Sequence, residues 1–201
     1  MRLPTTTPLI VIGMQNALDD PENGQRNNPG AEDNVALLLD MWRQAALPVI
    51  HVRHDSAEES SPYHSSQAGH GFKLEALPDP GEPVIGKEGS SAFAGTLLEA
   101  LLEENGVTHL VLAGALTPHA VEATARHASD LGFQVFLVAD ASWACDVWDQ
   151  NGWMWPAEDV HALSLAHLRD TSARIVGTKM AAEAALLAAA FRARLLARRA
   201  G

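Results

Sequence analysis

The residues with chemistry to account for sit at two turns: Thr117-Pro118-His119-Ala120-Val121, and Lys87 just ahead of Ser90-Ser91-Ala92-Phe93. If Thr117 is an N-cap and Pro118 the first helical residue, position 120 is the third residue of a helix. A cysteine there would have its thiol pKa lowered by the helix N-terminus, with free backbone amides beside it to hold an oxyanion. Ala120 keeps that backbone and removes the sulfur. The question of function therefore turns on an absence.

The flanking segments place this turn. Thr108 to Ala115 is an apolar run ending in small residues, read as a buried parallel strand, and Val121 to Ala128 reads as a helix. Pro8-Leu9-Ile10-Val11-Ile12-Gly13-Met14-Gln15 is a first strand whose end carries Gly13. Val84-Ile85-Gly86-Lys87, followed by Ser90 to Thr96, presents a lysine before another helix. Together these motifs, in this order from about Leu9 to about Thr178, resemble the isochorismatase-like cysteine hydrolases. That family's first strand usually ends in hydrophobic-Asp-Met-Gln, its lysine precedes a Ser-Ala-Phe segment, and its cysteine sits in Thr-x-x-Cys-Val.

Carried over by position, the resemblance implies Gly13 at the general base, Lys87 as the lysine and Ala120 at the nucleophile. It further implies an oxyanion held by the amides of Leu116 and Ala120, with a non-proline cis bond at Ala115–Leu116. In a family member that hydrolyses amides, the aspartate takes the thiol proton, the thiolate attacks the carbonyl, and the lysine stabilises the charge around the pair. Base and nucleophile are both missing here. The isochorismatases proper lack the cysteine and use the strand-end aspartate as a general acid, which would accommodate Ala120 but not Gly13. An engineered Cys-to-Ala change would likewise leave Gly13 unexplained.

Composition bounds the alternatives. A chain of 201 residues that is 47% hydrophobic builds one good core, and residues 1–201 read as a single domain. A formal charge of −11 disfavours nucleic acid and anionic membranes, leaving small molecules or further copies of the chain as partners. The lone Cys145 excludes an internal disulfide framework and a cysteine-rich zinc motif. No long apolar run or leader pattern stands at the N-terminus, so a cytoplasmic location is the default.

Strands and helices alternate. A helix carrying Val35, Leu38, Leu39 and Trp42 on one face follows turn residues at 19–30, and Pro48–Arg53 is a second strand. Residues 55–81 are a long Ser-, Pro- and Gly-rich loop, and loops of that length are usually functional. After the Val84 strand come helix Phe93–Leu102, the central strand, the Val121 helix, strand Phe133–Ala139, helix Ala157–Leu168 and strand Ala173–Val176. This order predicts a three-layer α/β/α sandwich around a six-stranded parallel sheet, Rossmann-like, as the isochorismatase-like resemblance also implies. An Ala-rich helix over about 179–199 completes the chain, with arginines favourable to its C-terminal dipole. It reads as a docking helix rather than a membrane-surface one.

Ligands in such sheets bind beyond the carboxyl ends of the strands, where Gly13, Lys87 and the 115–120 turn all lie. Without its carboxylate, Lys87 is expected to be paired with another acid, Asp19, Asp20 or Glu88 by proximity, or to be neutral and able to act as a base or form a Schiff base. His119 could polarise a ligand or act as a base. Cys145 has no neighbouring base in sequence. No metal is expected: His51, His54, Asp55, His64 and His70 do not reproduce an Asp-x-His pair, and His51 and His54 point to opposite faces of a strand. No cofactor is implied. Trp143, Trp148, Trp153 and Trp155 are expected in a lid or subunit contact. Three functions stay open: a pseudoenzyme with a pocket for an anionic or carbonyl-containing small molecule; an enzyme using Lys87, His119 and the amide hole non-covalently; and a structural subunit. In each case the family's habit implies a homo-oligomer, dimer or tetramer.

Overall fold

The computed structural model describes residues 1–199; the last two residues of the predicted 1–201 domain lie outside it. Six strands form one parallel sheet: β1 (Leu9–Ile12), β2 (Val49–His54), β3 (Val84–Lys87), β4 (His109–Ala115), β5 (Gln134–Trp143) and, last in sequence, β8 (Arg174–Val176). Their spatial order is β3-β2-β1-β4-β5-β8, with every neighbouring pair parallel. The order reverses direction between β1 and β4, which puts the ends of those two strands at the natural ligand crevice. A separate antiparallel hairpin pairs β6 (Val147–Trp148) with β7 (Met154–Trp155).

The apolar strands are buried on both faces, and alternation divides them between two cores. Leu9, Val11, Val111, Ala113, Phe136 and Val138 meet α1 (Ala31–Gln44) and α5 (Thr178–Arg199) through residues such as Leu38, Trp42, Ala181 and Ala185. Ile10, Ile12, Ile50, Val52, Leu110 and Leu112 face α2 (Leu98–Glu104) and α3 (Glu122–Asp130) through Leu98, Leu102, Ala125 and Ala128. α4 (Ala157–Leu168) closes this second layer with Leu165 and Leu168. Burying a Leu or Ile in this way contributes roughly 1.5–3 kcal/mol each.

The structure shifts several predicted boundaries. The helix expected from Phe93 begins only at Leu98. Gly95 has φ +71°, and the Thr96 hydroxyl donates to the Ala92 carbonyl at 2.6 Å, so residues 91–97 form turns instead. Strand β5 runs on to Trp143, past the predicted end at Ala139, because its register against β4 jumps between the pairs Leu112–Leu137 and Gly114–Ser142. The long loop is anchored by the fully buried Gln15. Its Nε2 donates to the carbonyls of His54 and His70 at 3.1 and 3.0 Å, and its Oε1 accepts from the His54 amide at 2.7 Å. No helix among the described residues is long and apolar enough to cross a membrane.

Candidate functional site

The carboxyl edge of the sheet brings the predicted positions together by register. Gly13 follows β1 and donates its amide to Val52 O at 2.7 Å, while Ile12 pairs with Gly114 and Lys87 with His54. Strands lie about 4.8 Å apart, so Lys87, at the end of β3, is two strands from Gly13. Side-chain alternation puts Lys87 on the face of Ile85, the face onto which α3 and Ala120 pack.

The peptide bond Ala115–Leu116 is cis, as the family resemblance implied. The turn after it differs from the expected cap. Thr117–Val121 is a π-type turn, with the Val121 amide reaching back to Leu116 O at 3.3 Å, and Leu116 rather than Thr117 occupies the N-cap. Thr117 makes no cap because its hydroxyl turns into the core. It donates to Trp143 O at 3.0 Å and lies 2.8 Å from Nδ1 of the buried His161. Sequence reasoning missed His161, which no local motif marks, since it comes from α4. The Leu116 amide makes no hydrogen bond to the protein among the described residues.

Gly13 is constrained by its own backbone. It has φ +65°, and a Cβ added there would stand 2.6 Å from the Ala115 carbonyl oxygen. The backbone has taken a left-handed conformation that suits glycine and leaves no ordinary path for a side chain.

Lys87 overturns the expectation of an acidic partner. It is 5% exposed, and no carboxylate lies within 4.0 Å of its ammonium among the described residues. Its Nζ donates to Gly89 O at 2.7 Å. Burial alone pushes its pKa below the usual lysine range. Asp19, one of the three acids expected to pair with it, is taken by the buried Lys73, which also lies 3.3 Å from Glu32. Glu32 in turn holds Arg26 at 2.5 Å, and burial opposed by that contact leaves the Glu32 carboxyl below its ordinary range.

The other candidates disperse. His119 is exposed and lines a cleft of about 780 Å³ with Glu122, Trp155, Asp159, Leu163 and His167, a cleft in which Lys87 has no part. Cys145 is buried, and that burial pushes its thiol pKa up despite the nearby Arg26. His51 faces Glu82 at 2.8 Å on the α1 side, whereas His54 lies on the Lys87 side, its ring edge-on to Tyr63 with centroids 5.3 Å apart. His70 holds Asp55 at 2.7 Å, and Asp55 also holds Arg53 at 2.9 Å. His64 bonds Ser66. Trp143 is fully buried beneath Arg26, which removes it from the expected lid or subunit contact; Trp148 and Trp153 remain 69% and 66% exposed on the hairpin. Five of the surface cavities, of about 300–780 Å³, have none of Gly13, Lys87 and Ala120 in their walls.

Comparison with known proteins agrees with this fold. Residues 7–180 match the Isochorismatase domain. An isochorismatase-family protein of Chromobacterium violaceum superposes with a TM-score of 0.90 at 47% identity, covering 92% of this chain and 96% of its own. An isochorismatase from Pseudomonas putida gives 0.82 at 30% identity, covering 90% and 92%. The uncharacterized isochorismatase family protein YrdC of Bacillus subtilis is 38% identical over 170 residues, 85% of this chain and 91% of its own. With residues 7–180 matched to the domain and relatives of 38% and 47% identity covering most of its length, the chain belongs to the isochorismatase family.

Proposed function

We propose that this isochorismatase-family protein holds a small anionic or carbonyl-containing molecule at the Gly13–Lys87–Ala120 edge and does not hydrolyse amides through a cysteine nucleophile. The observation that carries the reading is the left-handed Gly13 packed onto the Ala115 carbonyl, because it removes the base and closes the usual route for restoring one. Ala120 offers no nucleophile. Residues that act as a unit leave little behind when lost together, so only binding and amide stabilisation remain. What supports a ligand is the Leu116 amide without a partner and the buried Lys87 without a carboxylate. Assays with simple amides, nicotinamide and isochorismate are expected to show no turnover above background; ordinary turnover on any of them refutes the reading. Calorimetry with acetate is expected to show binding that Lys87→Met weakens, and an equal affinity in both proteins counts against the site.

A second reading, a structural subunit of a family oligomer, is favoured by the small exposure of Lys87 and by the apolar hairpin. Trp148 and Trp153 stand on that hairpin beside the cleft lined by Trp155 and Leu163. Solvent-exposed indoles grouped in this way suit a contact with a second copy in a dimer or tetramer. An enzyme using Lys87 and His119 together has no such support, because His119 lines the α4 cleft. A cytoplasmic location remains part of the proposal and rests on the absence of any disulfide framework in a chain with one cysteine.

A further inference from the structure

The chain has three lysines, and they differ in what surrounds them. Lys73 is held between Asp19 and Glu32, and Lys179 is exposed in the first turn of α5. Among the described residues, Lys87 alone is buried with a backbone carbonyl as its one hydrogen-bond partner. An ammonium has three N–H donors, and burying two without an acceptor costs more than burying a neutral amine.

The side chains around Lys87 suit an amine that reacts. His54 is its register partner on β2, so the two side chains leave adjacent strands on the same face. The His54 imidazole is edge-on to the phenol ring of Tyr63, the chain's one tyrosine. Both residues are half-buried and lie on the side of Lys87 toward the 55–81 loop. Burial, the largest cause, lowers the His54 pKa, which favours the neutral imidazole, the form that can accept a proton. None of these three side chains makes an ion pair among the described residues.

We propose that Lys87 is a carbonyl-condensing amine, which forms an imine with a small aldehyde or 2-oxo acid while His54 carries the protons. The Nζ lone pair forms a bond to the carbonyl carbon, and the C=O π pair moves to oxygen. His54 takes a proton from the nitrogen and returns it to that oxygen, giving a carbinolamine. Protonation of the hydroxyl then releases water as the C=N bond forms. Amine and carbonyl thus give imine and water with no oxidant, reductant or further reactant. The inference rests on the proposed ligand site, since the carbonyl compound must reach the same edge.

The test uses the intact protein with glyoxylate and sodium cyanoborohydride, which reduces an imine to a stable secondary amine, followed by peptide mapping. One adduct per chain is expected, on Lys87, forming at least tenfold faster than on the exposed Lys179. Lys87→Arg is expected to abolish it, with thermal unfolding of Lys87→Arg and Lys87→Met confirming that the fold persists in at least one. His54→Asn is expected to slow trapping at Lys87 about tenfold and to flatten its pH dependence; an unchanged rate and profile overturn the role of His54. Adducts confined to Lys179 and the terminal amine overturn the proposal. If acetate still binds in calorimetry in that case, the ligand site of the proposed function stands and only the condensation falls; if acetate does not bind either, both fall.

Discussion

The carbonyl oxygen of Ala115 stands where a side chain at Gly13 would have to begin, 2.6 Å from an ideal Cβ. The glycine at position 13 and the backbone of the 115–121 turn are therefore linked. Placing an aspartate at this position by Gly13→Asp is expected to cost about 2–4 kcal/mol, from the left-handed φ and the contact with Ala115 O. Ala120→Cys, at a half-buried position, is expected to cost less than about 1 kcal/mol. Denaturant melts of the two single variants check this, and equal stability would show that the turn can yield.

Lys87 offers a pH signature. Its folded pKa lies below the ordinary 10.5, with burial as the cause, so the charged form is penalised in the folded state. The penalty is complete below the folded pKa and disappears as pH rises from there to 10.5. Wild type is therefore expected to gain stability relative to Lys87→Met as pH rises toward 10.5, measured by urea unfolding across that interval. A difference that does not change with pH would mean that the ammonium is well solvated.

Glu82 ties β3 to α1 from the opposite end of the sheet. It holds Arg43 at 2.9 Å and faces the buried His51 at 2.8 Å, and its carboxyl is lowered to about 2, with those bonds outweighing its burial. A depressed carboxylate contributes stability that is present above its unfolded value of 4.5 and is lost as pH falls toward about 2. Glu82→Gln is expected to cost about 3 kcal/mol at neutral pH. The gap from wild type is expected to close between pH 4.5 and about 2, followed by circular dichroism melts. A loss that stays constant through acid would assign the effect to packing instead.

The hairpin carries the assembly prediction. With Trp148 and Trp153 at 69% and 66% exposure, light scattering is expected to give a mass of at least two chains. Trp148→Ser with Trp153→Ser is expected to shift that mass toward one chain while leaving the circular dichroism spectrum unchanged. An assembly that survives both changes places the contact elsewhere.

The order of elements was legible in the amino-acid sequence, because it depends on local patterns. Apolar runs such as Leu9–Ile12 and His109–Ala115 announce strands buried on both faces. Tertiary structure alone decided how the charges pair. Asp19 is nearer in sequence to Gly13 than to Lys73, yet the fold of the 55–81 loop carries Lys73 onto it and leaves Lys87 with a carbonyl. The same holds for Thr117, whose hydroxyl serves His161 and Trp143 across the core rather than its own helix, and for Trp143, buried while its hairpin neighbours stay in solvent. A side chain chooses its partner by distance in space and by what burial costs it, and neither is set by spacing along the chain.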